Sequence, residues 1–85
     1  MKTMNLSIIT PSQTLFSGEV KSVTLPGTAG LFEVLENHAP LVSSLREGTI
    51  KYALPNGKET LVEIASGFVE VCNNLLNVCV EGVKS

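Results

Sequence analysis

Apolar and polar residues alternate along most of this chain, in short runs rather than long ones. Met4, Leu6 and Ile8 are separated by Asn5 and Ser7, the period of a strand with one buried face. Pro11-Ser12 ends that run, and a second short strand is predicted from Gln13 to Ser17, closed by Gly18. Glu19 to Leu25 carries Val20, Val23 and Leu25; Lys21-Ser22 breaks the alternation, where a bulge or bend is expected. Pro26-Gly27-Thr28-Ala29-Gly30 reads as a loop with two permissive glycines. The stretch Gly30 to Val42 starts like a strand and breaks at Asn37-His38-Ala39-Pro40. An apolar run, Leu41 to Leu45, then follows. Pro40 pushes Ala39 towards extended geometry and so fixes the exit from that turn.

Two hairpins are predicted in the second half. Thr49 to Leu54 and Lys58 to Ala65 meet across Pro55-Asn56-Gly57. A two-residue turn would set Ile50 opposite Glu63, whereas a three-residue loop sets Ile50 opposite Val62 and Tyr52 opposite Thr60. A slip of one residue moves every side chain to the other face, so burial selects the longer loop. Phe68 to Cys72 and Leu75 to Glu81 pair across Asn73-Asn74, with Val69 and Val71 facing Leu76 and Val78. Gly82-Val83-Lys84-Ser85 reads as a frayed tail. No segment holds a 3.6-residue apolar period over three turns, so essentially no helix is expected. The pattern as a whole predicts an all-β fold, a β-sandwich or flattened barrel of eight to ten short strands.

Length sharpens this. The 85 residues form one domain, 1–85, with a single small core and no room for a deep enclosed active site. Net charge is −2 with basic residues scattered singly, so the footprint of a nucleic-acid binder is missing. All eight acidic residues are Glu, and no cluster suits a hard cation. Met1-Lys2-Thr3-Met4-Asn5 does not resemble a signal peptide, and no apolar run approaches the ~20 residues that span a bilayer; a soluble, cytoplasmic protein is expected. In the last hairpin Cys79 falls opposite Phe68 and far from Cys72, so two free thiols are expected rather than a disulfide. Without a Cys-x-x-Cys pair or second ligand cluster, zinc is not indicated.

Candidate chemistry is sparse. His38 is the one side chain of a type that titrates near neutrality. A nucleophilic arrangement would need it beside Cys72, Cys79, Ser43 or Ser44, none of which carries a nucleophile signature. A loop histidine capping backbone groups fits the sequence better. Glu33 and Glu36 fall on opposite faces if both lie in a strand, so they read as solvated carboxylates. Gly27-Thr28-Ala29-Gly30 lacks the Lys-Ser/Thr of a phosphate loop. Leu31, Phe32, Val34 and Leu35 cannot all face inward along a strand, so either at least one is exposed and suits a partner surface or the stretch folds under the sandwich as a plug.

Taken in order, Leu15-Phe16-Ser17-Gly18-Glu19-Val20, Pro26 to Gly30, Asn37-His38-Ala39-Pro40-Leu41-Val42, Glu47-Gly48 and Ser66-Gly67-Phe68-Val69-Glu70-Val71 resemble the N-terminal domain of the ATP synthase epsilon subunit family. The resemblance runs from about Met4 to Gly82. It implies a ten-stranded β-sandwich and a non-catalytic, cofactor-free subunit of the central stalk. Such a subunit is held between the gamma subunit and the c-ring and couples proton flow to ATP synthesis. It implies a peripheral place on the cytoplasmic face of the bacterial plasma membrane. It also implies a c-ring contact at Leu31, Phe32 and Glu33, in the turn preceding His38, and a gamma-facing edge at Thr10, His38 and Ser43. Two local departures stand out. Family members usually carry an acidic residue, an apolar residue and glycine in the ring-facing turn, where this chain has Leu31-Phe32-Glu33. They favour Pro-Gly or Pro-Asn before the histidine, where this chain has Glu36-Asn37. With the chain ending at Ser85, neither a two-helix inhibitory segment nor nucleotide binding is expected. The alternatives are a generic small β-sandwich protein-binding module and a small hydrolase using His38 with Cys72 or Cys79.

Overall fold

The computed structural model describes residues 3–83 and is all-β. Among the described residues nine strands follow one another, one fewer than the resemblance implies: β1 Met4–Ile9, β2 Thr14–Val20, β3 Ser22–Gly27, β4 Gly30–Val34, β5 Leu41–Leu45, β6 Gly48–Ala53, β7 Glu59–Ile64, β8 Ser66–Cys72 and β9 Leu75–Glu81. Of the expected frayed tail, Lys84 and Ser85 lie outside the described residues.

All nine strands belong to one curled sheet, in the order β2-β1-β9-β8-β5-β3-β6-β7, with β4 on the other side of β3. The sheet folds over on itself at a narrow corner. There β5 and β3 share one residue pair, Gly27 with Leu45, and the Arg46 N–H donates to the Pro26 carbonyl at 2.9 Å. One leaf is therefore β2-β1-β9-β8-β5 and the other β4-β3-β6-β7. Leu6, Ile8, Val69 and Val78 from the first meet Val23, Leu25, Ile50 and Ile64 from the second in one buried cluster. Burial of these apolar side chains is the main stabilising term, and the described core contains no buried polar residue to offset it. Phe16 of β2 and Tyr52 of β6 bridge the leaves, with ring centroids 4.4 Å apart and planes tilted by 39°.

The predicted hairpin registers are observed. Ile50 pairs with Val62 and Tyr52 with Thr60; Val69 pairs with Val78, Val71 with Leu76, and Cys79 with Phe68. Asn73 and Asn74 both take positive φ, 51° and 61°, as the two-residue turn between β8 and β9 requires.

Two local expectations are corrected. Gly18 does not close β2: it pairs with Leu6, and the strand runs on to Val20. Pairing Ile8 with Phe16 and Ile9 with Thr14 leaves Leu15 as an extra residue, and this bulge lets consecutive Leu15 and Phe16 both pack on the core. Pro26 to Gly30 is not a five-residue loop either. Gly27 pairs with Gly30 across a two-residue turn, Thr28-Ala29. Gly30 sits at φ 133°, and a Cβ at Gly27 would come within 2.8 Å of the Phe32 ring, so the two glycines permit a turn this tight.

Candidate partner-binding surface

The short Thr28-Ala29 turn decides how the expected c-ring residues are presented. Leu31, Phe32 and Glu33 lie within β4, paired with Pro26, Leu25 and Thr24, and not in a turn. Alternation then divides them. Leu31 is 69% exposed and Glu33 is exposed beside it, while Phe32 turns inward and packs against the core. Leu31 and Leu61, with Pro26, Arg46, Thr49 and Lys51, line a shallow depression on the outer face of the second leaf.

The residues expected to face gamma are spread along the first leaf. Thr10 follows β1, where its hydroxyl accepts the N–H groups of Ser12 (3.2 Å) and Gln13 (3.0 Å) and so holds the turn into β2. His38 lies at the opposite end of the leaf, against the Asn73-Asn74 turn. Asn5 pairs at that end, so Thr10 is five strand steps of about 3.3 Å away, on the order of 17 Å. Ser43 sits midway on β5, opposite Val69, in the inward-facing row with Leu41 and Leu45; its hydroxyl donates to the Ser44 carbonyl at 3.1 Å. The three positions mark the ends and the middle of one leaf, without touching one another.

His38 makes local contacts to backbone. Its Nδ1 lies 2.8 Å from the Ala39 carbonyl oxygen, and its N–H donates to the Leu35 carbonyl at 3.2 Å. No described thiol or carboxylate is its recorded partner. Cys72 is exposed, Cys79 half-buried, and both are free. Among the described residues no group of three or more His, Cys, Asp or Glu could hold a metal ion. No described helix is long and apolar enough to cross a membrane.

The outer face of the first leaf carries apolar side chains that the sequence pattern alone did not mark as surface: Val42 (73% exposed), Phe68 (51%), Leu75 (50%) and Ile9 (37%). Ile9, Phe68, Cys79 and Pro11 line a depression of about 210 Å³ there. The signal was within reach. Once Val69 and Val71 are assigned inward, alternation sends Phe68 outward.

The fold is thus a two-leaved β-sandwich whose outer faces each present exposed apolar side chains. The comparisons give the family. The family model described as "ATP synthase, Delta/Epsilon chain, beta-sandwich domain" matches residues 3–85. The ATP synthase epsilon chain of Chlorobaculum tepidum is 43% identical over 83 residues, 98% of this chain and 94% of that one. The epsilon chain of a Nitratiruptor species is 46% identical over 82 residues, 96% of this chain but 64% of that one. A chain in the Euglena gracilis mitochondrial ATP synthase structure (OSCP/F1/c-ring, rotational state 1) superposes with a TM-score of 0.91 at 19% identity. The match covers 96% of this chain and 52% of that one, and it shows the shared fold. The chain belongs to the ATP synthase delta/epsilon β-sandwich family, whose epsilon members are non-catalytic subunits of a membrane-associated complex.

Proposed function

We propose that this chain is the epsilon-type rotor subunit of a proton-translocating F-type ATP synthase, holding the gamma subunit to the c-ring on the cytoplasmic face of a bacterial plasma membrane. The observation that carries the reading is two-sidedness. Leu31 and Leu61 are exposed on one leaf, and Val42, Phe68 and Leu75 on the other. Exposed apolar groups on opposite faces of so thin a domain suit a spacer gripped by two neighbours. Its work is mechanical: a stiff sandwich transmits torque between partners without chemistry of its own.

On this reading the second leaf meets the c-ring. Leu31 and Glu33 make the contact, and Phe32 braces β4 from behind by packing on the core. Gamma lies along the first leaf, from His38 at one end past Ser43 to Thr10 at the other. Because Ser43 faces inward, a charge placed there would disturb the core, and the outward neighbour Val42 is the cleaner probe. The test is co-expression of the tagged chain with an ATP synthase gamma subunit from the same organism, followed by purification. A stable one-to-one complex is expected. Absence of gamma, with an unrelated soluble protein captured reproducibly, would favour a generic binding module instead.

A further inference from the structure

Three asparagines with positive φ converge at one end of the first leaf: Asn37 (65°), Asn73 (51°) and Asn74 (61°). Asn37 lies at the third position of a turn closed by the His38 N–H to the Leu35 carbonyl, 3.2 Å. A positive φ there is the mark of a type II turn, which takes Gly or Asn at that position. The turn is fastened from outside. The Asn37 N–H donates to the Asn74 side-chain oxygen at 2.6 Å, and the Asn74 side-chain nitrogen donates to the Asn37 side-chain oxygen at 3.3 Å. The Asn74 carbonyl also accepts the Asn5 N–H at 2.9 Å. One residue thus ties together the β4–β5 connection, the β8–β9 turn and the start of β1, segments distant in sequence.

We infer that Asn74 is a positioning residue. Its carboxamide locks the Leu35–His38 turn against the β8–β9 turn, so that this end of the sandwich meets its partner preformed. The surface so fixed carries Leu35 (51% exposed), His38 and Leu75 (50% exposed). Without the clamp, the connection between Val34 and Leu41 would keep its own turn but lose its anchor to the sheet. Ordering it would then fall to the binding step, which lowers apparent affinity. The assignment of this surface to gamma rests on the function proposed above; the clamp itself does not.

The test uses Asn74→Gly. Glycine accepts the φ of 61° and makes an Asn-Gly turn, which favours this hairpin, so the fold is kept while the carboxamide is removed. Amide exchange of Asn37, followed by NMR in the otherwise intact chain, should accelerate about threefold to tenfold, the effect of losing ordinary hydrogen bonds. Exchange at Val69 and Val78 in the core should stay as it was. Asn74→Asp keeps an acceptor for the Asn37 N–H but no donor, and should restore part of the protection. Gamma binding by Asn74→Gly, measured well below its melting temperature where the variant is fully folded, should weaken by up to the same factor and recover in part in Asn74→Asp, an effect that a merely structural role would not produce. Unchanged Asn37 exchange in Asn74→Gly overturns the clamp. Faster exchange with wild-type gamma affinity overturns the positioning role. Failure of the wild-type chain to bind gamma overturns the proposed function, while the exchange measurement still decides the clamp.

Discussion

Replacing Gly67 by alanine puts a methyl group where the sheet has no space for it. Gly67 is shared by three strands, pairing with Leu45 of β5 and Val80 of β9 next to the corner where the leaves meet. A Cβ built there falls against the Cys79 carbonyl oxygen, and 3.1 Å from the Val80 Cα. These neighbours are backbone in the ladder, so no rotamer change relieves the clash. Overpacking a well-packed site typically costs about 1–3 kcal/mol, and a clash with backbone argues for the upper end, about 3 kcal/mol. For a domain of this size each kcal/mol lowers the melting temperature by about 4–8 °C, so a fall of roughly 12–24 °C is expected. Gly18→Ala is the matched control. Its Cβ would meet first the tip of the half-buried Phe16 ring, at 3.3 Å, a side chain that can give by a few tenths of an ångström, so a cost below about 1 kcal/mol is expected. Urea unfolding of both variants measures the difference, with an unchanged denaturant slope confirming the same transition. If Gly67→Ala lost less than Gly18→Ala, the packing at the corner would be wrongly described.

Other consequences follow from the same geometry. Ile64→Ala removes a fully buried side chain of β7 and should cost about 2–5 kcal/mol in urea unfolding. Gly57→Ala forces a side chain into φ 93° in the β6–β7 loop and should cost about 1 kcal/mol or more, and Asn56→Gly, which removes the side-chain oxygen that accepts the Lys58 N–H at 2.9 Å, should also destabilise by about 1 kcal/mol. Under native conditions a thiol reagent should label exposed Cys72 before half-buried Cys79, and a rate at both no faster than that of an ordinary thiol would exclude an activated nucleophile.

Local pairing was legible before the structure, and long-range pairing was not. The β6–β7 register followed from burial alone, because only one loop length sets Ile50 against Val62. The β8–β9 turn followed from Asn73-Asn74, residues that tolerate positive φ. The parallel pairing of β1 with β9 joins Asn5 to Leu75, seventy positions apart (75 − 5), and no local pattern announces it. The Leu15 bulge was hidden for a related reason: it is defined by the partner strand, not by its own residues. At the candidate surface, alternation could expose Leu31 and Phe68, but it could not reveal that Thr10 and His38 stand at opposite ends of a leaf. That separation depends on the β1–β9 pairing. The Asn37–Asn74 clamp is likewise a product of topology, since it joins two turns that meet only when the sheet is assembled.

On the proposed function the two leaves serve two different partners, and paired surface variants test this directly. Leu31 and Val42 are 69% and 73% exposed on opposite leaves, so glutamate at either should leave the fold intact. In a reconstituted gamma–c-ring stalk, Leu31→Glu should lose the c-ring and keep gamma, and Val42→Glu should lose gamma and keep the ring. Loss of the same partner by both variants, or of neither by either, would contradict the account.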